Sequence, residues 1–204
     1  METLLLSYFA AIILLTITPG VDTALIIRTA SVEGRRQALW AAAGIHLGCL
    51  AWGAAAAFGL GAILAASETA FTVLKWCGAL YLIWLGLQLL FSAKAQDFTA
   101  LPEAHAAQPN WFIRGFSGNL LNPKVGIFYL SFLPQFIPSA QHAVLWTLAL
   151  VAVHIALGVA WSAALIAGIG KIRPYLLNQK IVKWMNRITG GLFIAFALKL
   201  AQAR

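Results

Sequence analysis

The feature that most constrains this chain is the length of its uncharged stretches. No formally charged residue occurs from Thr3 to Val21, from Gln37 to Ser67, from Trp76 to Ala93 or from Val125 to Gly170. A helix that crosses a bilayer needs about 20 predominantly apolar residues. The apolar material is continuous rather than periodic, and only 10% of the residues are charged. A soluble domain of this size carries about 25%. These runs predict an all-α, multi-pass membrane protein lying in a lipid bilayer.

Two of the runs contain a helix-breaking proline followed by a residue that can carry charge. One is Thr16-Ile17-Thr18-Pro19-Gly20-Val21-Asp22, and the other is Asn119-Leu120-Leu121-Asn122-Pro123-Lys124. Proline removes a backbone donor and clashes with the preceding turn. In lipid the freed carbonyls need partners, so such breaks survive only inside protein or beside a cavity. Paired interrupted helices, one in each half of a chain, point to a transporter's binding site.

Six segments are expected, over about Leu4–Ile27, Ala38–Ala65, Thr72–Phe91, Phe112–Phe132, Ala143–Gly168 and Trp184–Ala201. The sixth is the least apolar; only Ile188–Leu198 is free of charge. It is expected to be short, tilted or snorkelling through Arg187 and Lys199. The sizeable polar stretch, Ser92–Trp111, falls near the middle. The expectation is one membrane domain over 1–204, built as a first repeat over about 1–91, a linker over about 92–111 and a second repeat over about 112–204.

The halves share a weak pattern. Pro19 matches Pro123, Leu39-Trp40 matches Leu145-Trp146, and His46 matches His154 in depth. Lys75-Trp76 matches Lys183-Trp184, and Gly78-Ala-Leu-Tyr81 resembles Gly190-Gly-Leu-Phe193. Three helices is an odd number, so the second copy enters from the opposite face. That makes a 3+3 inverted repeat with broken helices 1 and 4.

The net charge of +8 does not point to nucleic acid, because the bases flank the apolar segments instead of forming a stripe. Ten bases (Arg28, Arg35, Arg36, Lys94, Arg114, Lys171, Arg173, Lys180, Lys183 and Arg187) fall in the connections between segments one and two, three and four, and five and six. Three (Lys75, Lys199 and Arg204) fall on the other side. The positive-inside rule then puts both termini outside the cytoplasm. Glu2 stands where a signal peptide would be basic, so the first segment is expected to be retained. Cys49 and Cys77 lack metal-ligand spacing and read as small packing residues. No metal or cofactor is implied. Trp40, Trp76, Trp111, Trp146 and Trp184 lie near segment ends and read as interfacial anchors. The Ala- and Gly-rich helix faces pack either within one chain or between two copies, which leaves a homodimer open.

The motifs together resemble the LysE/RhtB family of amino-acid exporters. Thr18-Pro19-Gly20-Val21 keeps three residues of that family's T-P-G-P motif, with valine at its second proline. Gly34-Arg35-Arg36-Gln37-Ala38-Leu39 is similar to its entry to helix two. Gly78-Ala-Leu-Tyr81-Leu82-Ile-Trp-Leu85-Gly86 follows its helix-three pattern. Asn122-Pro123-Lys124 and Phe132-Leu133-Pro134-Gln135-Phe136 follow in order. The resemblance implies a secondary transporter in a bacterial inner membrane that exports amino acids or derivatives, driven by the proton-motive force. Neutral or hydroxylated amino acids are slightly favoured as substrates.

An amino acid offers a carboxylate and an ammonium, and a broken helix offers exposed amides and exposed carbonyls. The candidate substrate- and ion-binding residues are therefore Thr18, Pro19, Gly20, Asp22, Asn119, Asn122, Pro123 and Lys124. Asp22 is the candidate partner of the substrate ammonium or the carrier of the coupled proton. Lys124 is the candidate partner of the carboxylate, or of Asp22 in the empty site. The plainer reading of Asp22 and Lys124 is a permanent ion pair that holds the repeats in register. His46 and His154 are candidate proton relays, with hydrogen-bonded packing as the plainer reading.

Two other classes compete. Gly115-Phe116-Ser117-Gly118 matches the G-x-S-G string of rhomboid intramembrane serine proteases, with His154 in the next segment. That chemistry needs the serine and histidine within hydrogen-bond reach. A channel or scaffold protein is the third reading.

Overall fold

The computed structural model describes residues 2–66, 68–91, 110–137 and 142–202. The greater part of the linker, 92–109, lies outside the described residues, as do the Lys199 side chain and Arg204. The described residues form helices and contain no strand.

In chain order the helices are α1 (Glu2–Ile17), α2 (Val21–Val32), α3 (Arg35–Ala66), α4 (Glu68–Phe91), α5 (Trp111–Leu120) and α6 (Pro123–Phe132). A 3-10 turn (Leu133–Phe136) precedes α7 (Ala143–Ala167), α8 (Ile169–Leu177) and α9 (Gln179–Gln202). Three of these are long and apolar enough to cross a membrane: Arg35–Gly59 of α3, Ala143–Ala167 of α7 and Gln179–Leu198 of α9. α1 and α2 make a fourth span if taken together, bent by 45° at their junction. α4 carries a shorter apolar helix, Trp76–Phe91, and α5 and α6 are 10 residues each.

The expected sixth segment is thus longer than its charge-free core suggests. Lys180, Lys183 and Arg187 sit in the first turns of α9, while Val182, Phe193 and Phe196 on that helix are buried. The basic connection before it is itself partly helical. α8 carries Lys171 and Arg173 exposed ahead of the buried Leu176, a short amphipathic element that a search for long apolar runs passes over.

Both expected breaks are present. α1 stops at Ile17 because the residue before a proline avoids the helical region, and α2 restarts at Val21 after the N-cap Gly20. α5 stops at Leu120 and α6 restarts at Pro123 after the N-cap Asn122. The prolines themselves are not equivalent. Pro19 precedes its N-cap, whereas Pro123 follows its own at the first helical position. Matching the two breaks by their caps shifts the proline pairing by two residues. It aligns Val21 with Pro123, and Asp22 with Lys124, each at the second position of its helix.

Helices meet where glycine removes a side chain, the usual device for close approach in lipid. A Cβ on Gly44 of α3 would meet the Phe112 and Phe116 backbone of α5, and one on Gly115 of α5 would meet the Ala41 backbone of α3. α4 and α9 cross in the same reciprocal way. A Cβ on Gly86 would lie 2.7 Å from the Gly190 carbonyl oxygen, and one on Gly190 would lie 2.6 Å from that of Gly86. Gly34, with φ of 94°, turns the chain from α2 into α3, in a conformation side chains rarely adopt.

Two apolar clusters divide the interior. One contains Tyr8, Ile12, Leu82, Phe128, Phe132, Phe136, Val151 and Phe193. Its aromatic rings interlock, with Phe128 and Phe132 stacked at 4.5 Å between centroids. The other contains Leu25, Ile26, Ala38, Ala41, Ile45, Trp111, Leu165 and Leu176. Trp111 is therefore not an interfacial anchor. It is buried at the start of α5, with the Arg114 guanidinium 5.3 Å from its ring centre. Trp40, Trp76 and Trp184 are exposed, as anchors should be. Cys49 is buried as expected, but Cys77 is exposed on α4.

Candidate functional site

Several polar groups of the interior gather where the two breaks meet. Thr18, Gly20 and Asp22 from the first break face Asn122 and Lys124 from the second around one cavity of about 80 Å³. A single water needs about 10–15 Å³ of such space, so this cavity holds a small polar molecule or several waters. Its walls come from both apolar clusters, through Leu15, Cys49 and Val125 on one side and Ile26 and Ile45 on the other. The site is a polar layer between two dry ones. His46 and His154 both line it.

The breaks are cross-wired. Asp22 Oδ2 accepts from Asn119 Nδ2 at 2.8 Å and from Asn122 Nδ2 at 3.4 Å, both from the second break. In return Lys124 Nζ donates to two carbonyls of the first break, Thr18 O at 3.4 Å and Leu15 O at 3.5 Å. A cation at the carbonyl end of a helix and an anion at the amide end are each favoured by the helix dipole. The carboxylate and the ammonium do not join as a direct ion pair. Each is held by neutral groups of the opposite break, so the charges remain turned to the cavity.

The two amide ends differ. At α6 the Asn122 side chain caps its own helix, accepting from Lys124 N at 3.1 Å, and Pro123 has no N–H to offer. At α2 the N-cap is Gly20, which supplies no side-chain hydrogen bond. The first amides of α2 are therefore left for a ligand, beside a cavity lined by Gly20, Val21, Asp22 and Thr23. Pro19 sets this break but is not among the cavity residues.

The carbonyl side of the second break is closed by Trp52, whose Nε1 donates to Leu120 O at 3.1 Å. Gly126 makes room for that ring; a Cβ there would lie 2.5 Å from it. On the first break the Thr18 hydroxyl, buried, bonds Leu14 O at 2.5 Å and the Thr189 hydroxyl of α9 at 2.6 Å.

Each histidine has a hydroxyl partner. Tyr129 Oη and His154 Nδ1 are 2.7 Å apart, and His46 Nε2 and Ser162 Oγ are 3.2 Å apart. Gly158 leaves space for His46; a Cβ there would sit 2.9 Å from the ring. Ser162, Tyr129, Cys49 and Trp52 escape a sequence reading because small or aromatic residues in apolar helices look like packing. The available signal was the spacing of Gly158 and Ser162 around the helical turn after His154.

The protease constellation is not assembled. Ser117 Oγ donates to Ile113 O at 2.8 Å within its own helix, and His154 is paired with Tyr129.

The chain matches the family described as LysE type translocator over residues 13–204. A homoserine/homoserine lactone efflux protein of Salmonella typhimurium is 31% identical, over 97% of this chain and 96% of its own length. A threonine efflux protein of Salmonella typhi is 31% identical over 92% of each chain. A leucine efflux protein of Enterobacter sp. strain 638 is 30% identical, over 96% of this chain and 93% of its own length. No solved structure matches significantly. With a family match that runs from residue 13 to the last residue, this multi-pass membrane protein belongs to the LysE type translocator family.

Proposed function

We propose that this protein is a secondary transporter that exports small neutral amino acids, hydroxylated ones included, across the bacterial inner membrane at the expense of the proton-motive force. The observation that carries this reading is the cavity between the two breaks, with an anionic side chain and an uncapped helix amide end facing the same space. The relatives named for homoserine, threonine and leucine efflux support the substrate class.

In this reading the substrate ammonium approaches Asp22, and its carboxylate takes the amides of Val21, Asp22 and Thr23. The side chain then lies toward Ile45, Ile155 and the His46–Ser162 pair. A hydroxyl on that side chain finds a partner there, and a short aliphatic one finds an apolar wall. The histidines and their hydroxyl partners are the proposed route of the coupled proton.

The chain crosses the membrane six times as two inverted repeats, over about 1–91 and 112–204, with both termini outside. Two features support the repeat. Asp22 and Lys124 occupy like positions in α2 and α6, and Gly86 and Gly190 make reciprocal contacts between α4 and α9, as a two-fold relation requires.

The test is uptake of labelled homoserine, threonine and leucine into inside-out vesicles, where export appears as uptake, with and without an imposed proton gradient. Gradient-driven uptake of one or more of these, abolished in Asp22→Asn, supports the reading. Flux that ignores the gradient makes the protein a channel. No uptake of any amino acid by correctly folded protein overturns the exporter reading.

A further inference from the structure

At the end of a broken helix the last carbonyls have no partner in their own helix. In transporters with discontinuous helices, such carbonyls coordinate the coupling cation. In this chain the carbonyl end of α1 is occupied already. The Lys124 ammonium reaches across from α6 to Thr18 O at 3.4 Å and Leu15 O at 3.5 Å. Both contacts are longer than the usual 2.7–3.2 Å N–H···O range, so the ammonium sits there as an ion among dipoles more than as a directed donor. The Asp22 carboxylate lines the same cavity without closing on it. Gly20 lies beside the ammonium, and a Cβ there would stand 3.6 Å from Nζ, in ordinary contact with it.

These groups (backbone carbonyls at a helix break, one carboxylate nearby, and a single positive charge among them) are the components of an alkali-cation site. We propose that the carbonyl end of α1 is a monovalent-cation site that the protein fills with its own Lys124 ammonium, so that transport needs no sodium or potassium ion and removal of the ammonium creates a site for one. The tethered cation holds the two halves of the molecule together at the breaks throughout the empty state. A diffusible ion would do so only when bound. The transport arm of the test rests on the exporter reading, and the binding arm does not.

The binding arm compares thermal unfolding of detergent-purified wild type, Lys124→Ala and Lys124→Met in choline chloride, lithium chloride, sodium chloride and potassium chloride at equal ionic strength. Wild type should unfold at the same temperature in all four salts. In both variants at least one alkali cation should raise the midpoint, by roughly 5 °C at saturating concentration. Adding Asp22→Asn to either variant should remove that shift and so place the ion at the break. In the transport arm the same cation should stimulate uptake by the variants several-fold and leave wild type unchanged. Variants no more responsive than wild type to every alkali cation would overturn the inference, and so would a wild type that requires sodium or potassium. If wild type moves no amino acid at all, the exporter reading fails while the unfolding comparison still decides whether the site exists.

Discussion

Asn119 Nδ2 lies 2.8 Å from Asp22 Oδ2, joining the first half of one broken helix to the second half of the other. Asn119 is fully buried, and its other amide contact is Cys49 Sγ at 3.5 Å. The asparagine therefore sets where the carboxylate stands. A hydrogen bond to a charged group is worth about 1.5–3 kcal/mol. Asn119→Ala should lower transport efficiency by roughly ten- to a hundred-fold, and Asn122→Ala, whose contact is 3.4 Å, by less. A double-mutant cycle with Asp22→Asn, read in thermal unfolding because that variant is expected not to transport, measures the coupling. Strictly additive losses would mean that Asn119 acts on something other than Asp22.

Gly48 of α3 controls the same asparagine from behind. A Cβ there would lie 2.6 Å from Asn119 Oδ1 and 2.9 Å from its Cβ, both closer than side chains tolerate. Asn119 cannot retreat without leaving Asp22. Gly48→Ala should therefore cost about 1–3 kcal/mol of stability, as overpacking does, and should abolish most transport. Gly59→Ala on the same helix is the comparison. Nothing among the described residues lies within 4 Å of its Cβ position, so it should be neutral or stabilise by about 0.4–1 kcal/mol. Thermal unfolding and vesicle uptake of the two variants check this pair; equal behaviour would remove Gly48 from the account.

The hydroxyl partners of the two histidines should separate selectivity from stability. Ser162→Ala removes the partner of His46 at the side-chain end of the cavity. The ratio of homoserine to leucine uptake should fall about ten-fold, a difference of about 1.4 kcal/mol, with little change for leucine. Tyr129→Phe leaves the buried His154 Nδ1 without its 2.7 Å partner. That should lower stability by about 1–3 kcal/mol and slow all substrates alike. An unchanged homoserine-to-leucine ratio in Ser162→Ala would place the substrate side chain elsewhere.

Much of this site was legible before any coordinates, and for a physical reason. A proline or an ionisable residue inside lipid is costly, so Pro19, Asp22, Pro123 and Lys124 stand out against an apolar background. His46 and His154 stand out in the same way, and the structure brings both to the same cavity. What lies in between was not legible. Whether Lys124 would meet Asp22 or the α1 carbonyls depends on where four half-helices are placed, and α5, for one, is seated on α3 through the backbone approach at Gly44 and Gly115, which no pattern announces. The correspondence of the two breaks was obscured because the conspicuous residue, proline, falls on opposite sides of the two N-caps. Trp111 and α8 were missed because rules for interfacial tryptophans and for long apolar runs say nothing of a ring tucked under an arginine or of a nine-residue amphipathic helix.

The proposed orientation makes a prediction that position and exposure alone can test. Arg36 begins α3, His142 precedes α7 and Lys180 begins α9; all three are exposed. In a six-span inverted repeat, Arg36 and Lys180 lie on the cytoplasmic side and His142 on the other, because one helix, α7, separates His142 from Lys180. Single cysteines at these positions, in a Cys49→Ala/Cys77→Ala background, should report this to a membrane-impermeant maleimide. Arg36→Cys and Lys180→Cys should label in inside-out vesicles and be protected in right-side-out ones, and His142→Cys should do the reverse. The opposite pattern would put both termini in the cytoplasm and contradict the distribution of bases. Labelling of all three from one face would mean that α7 does not cross, and the inverted repeat would fall with it.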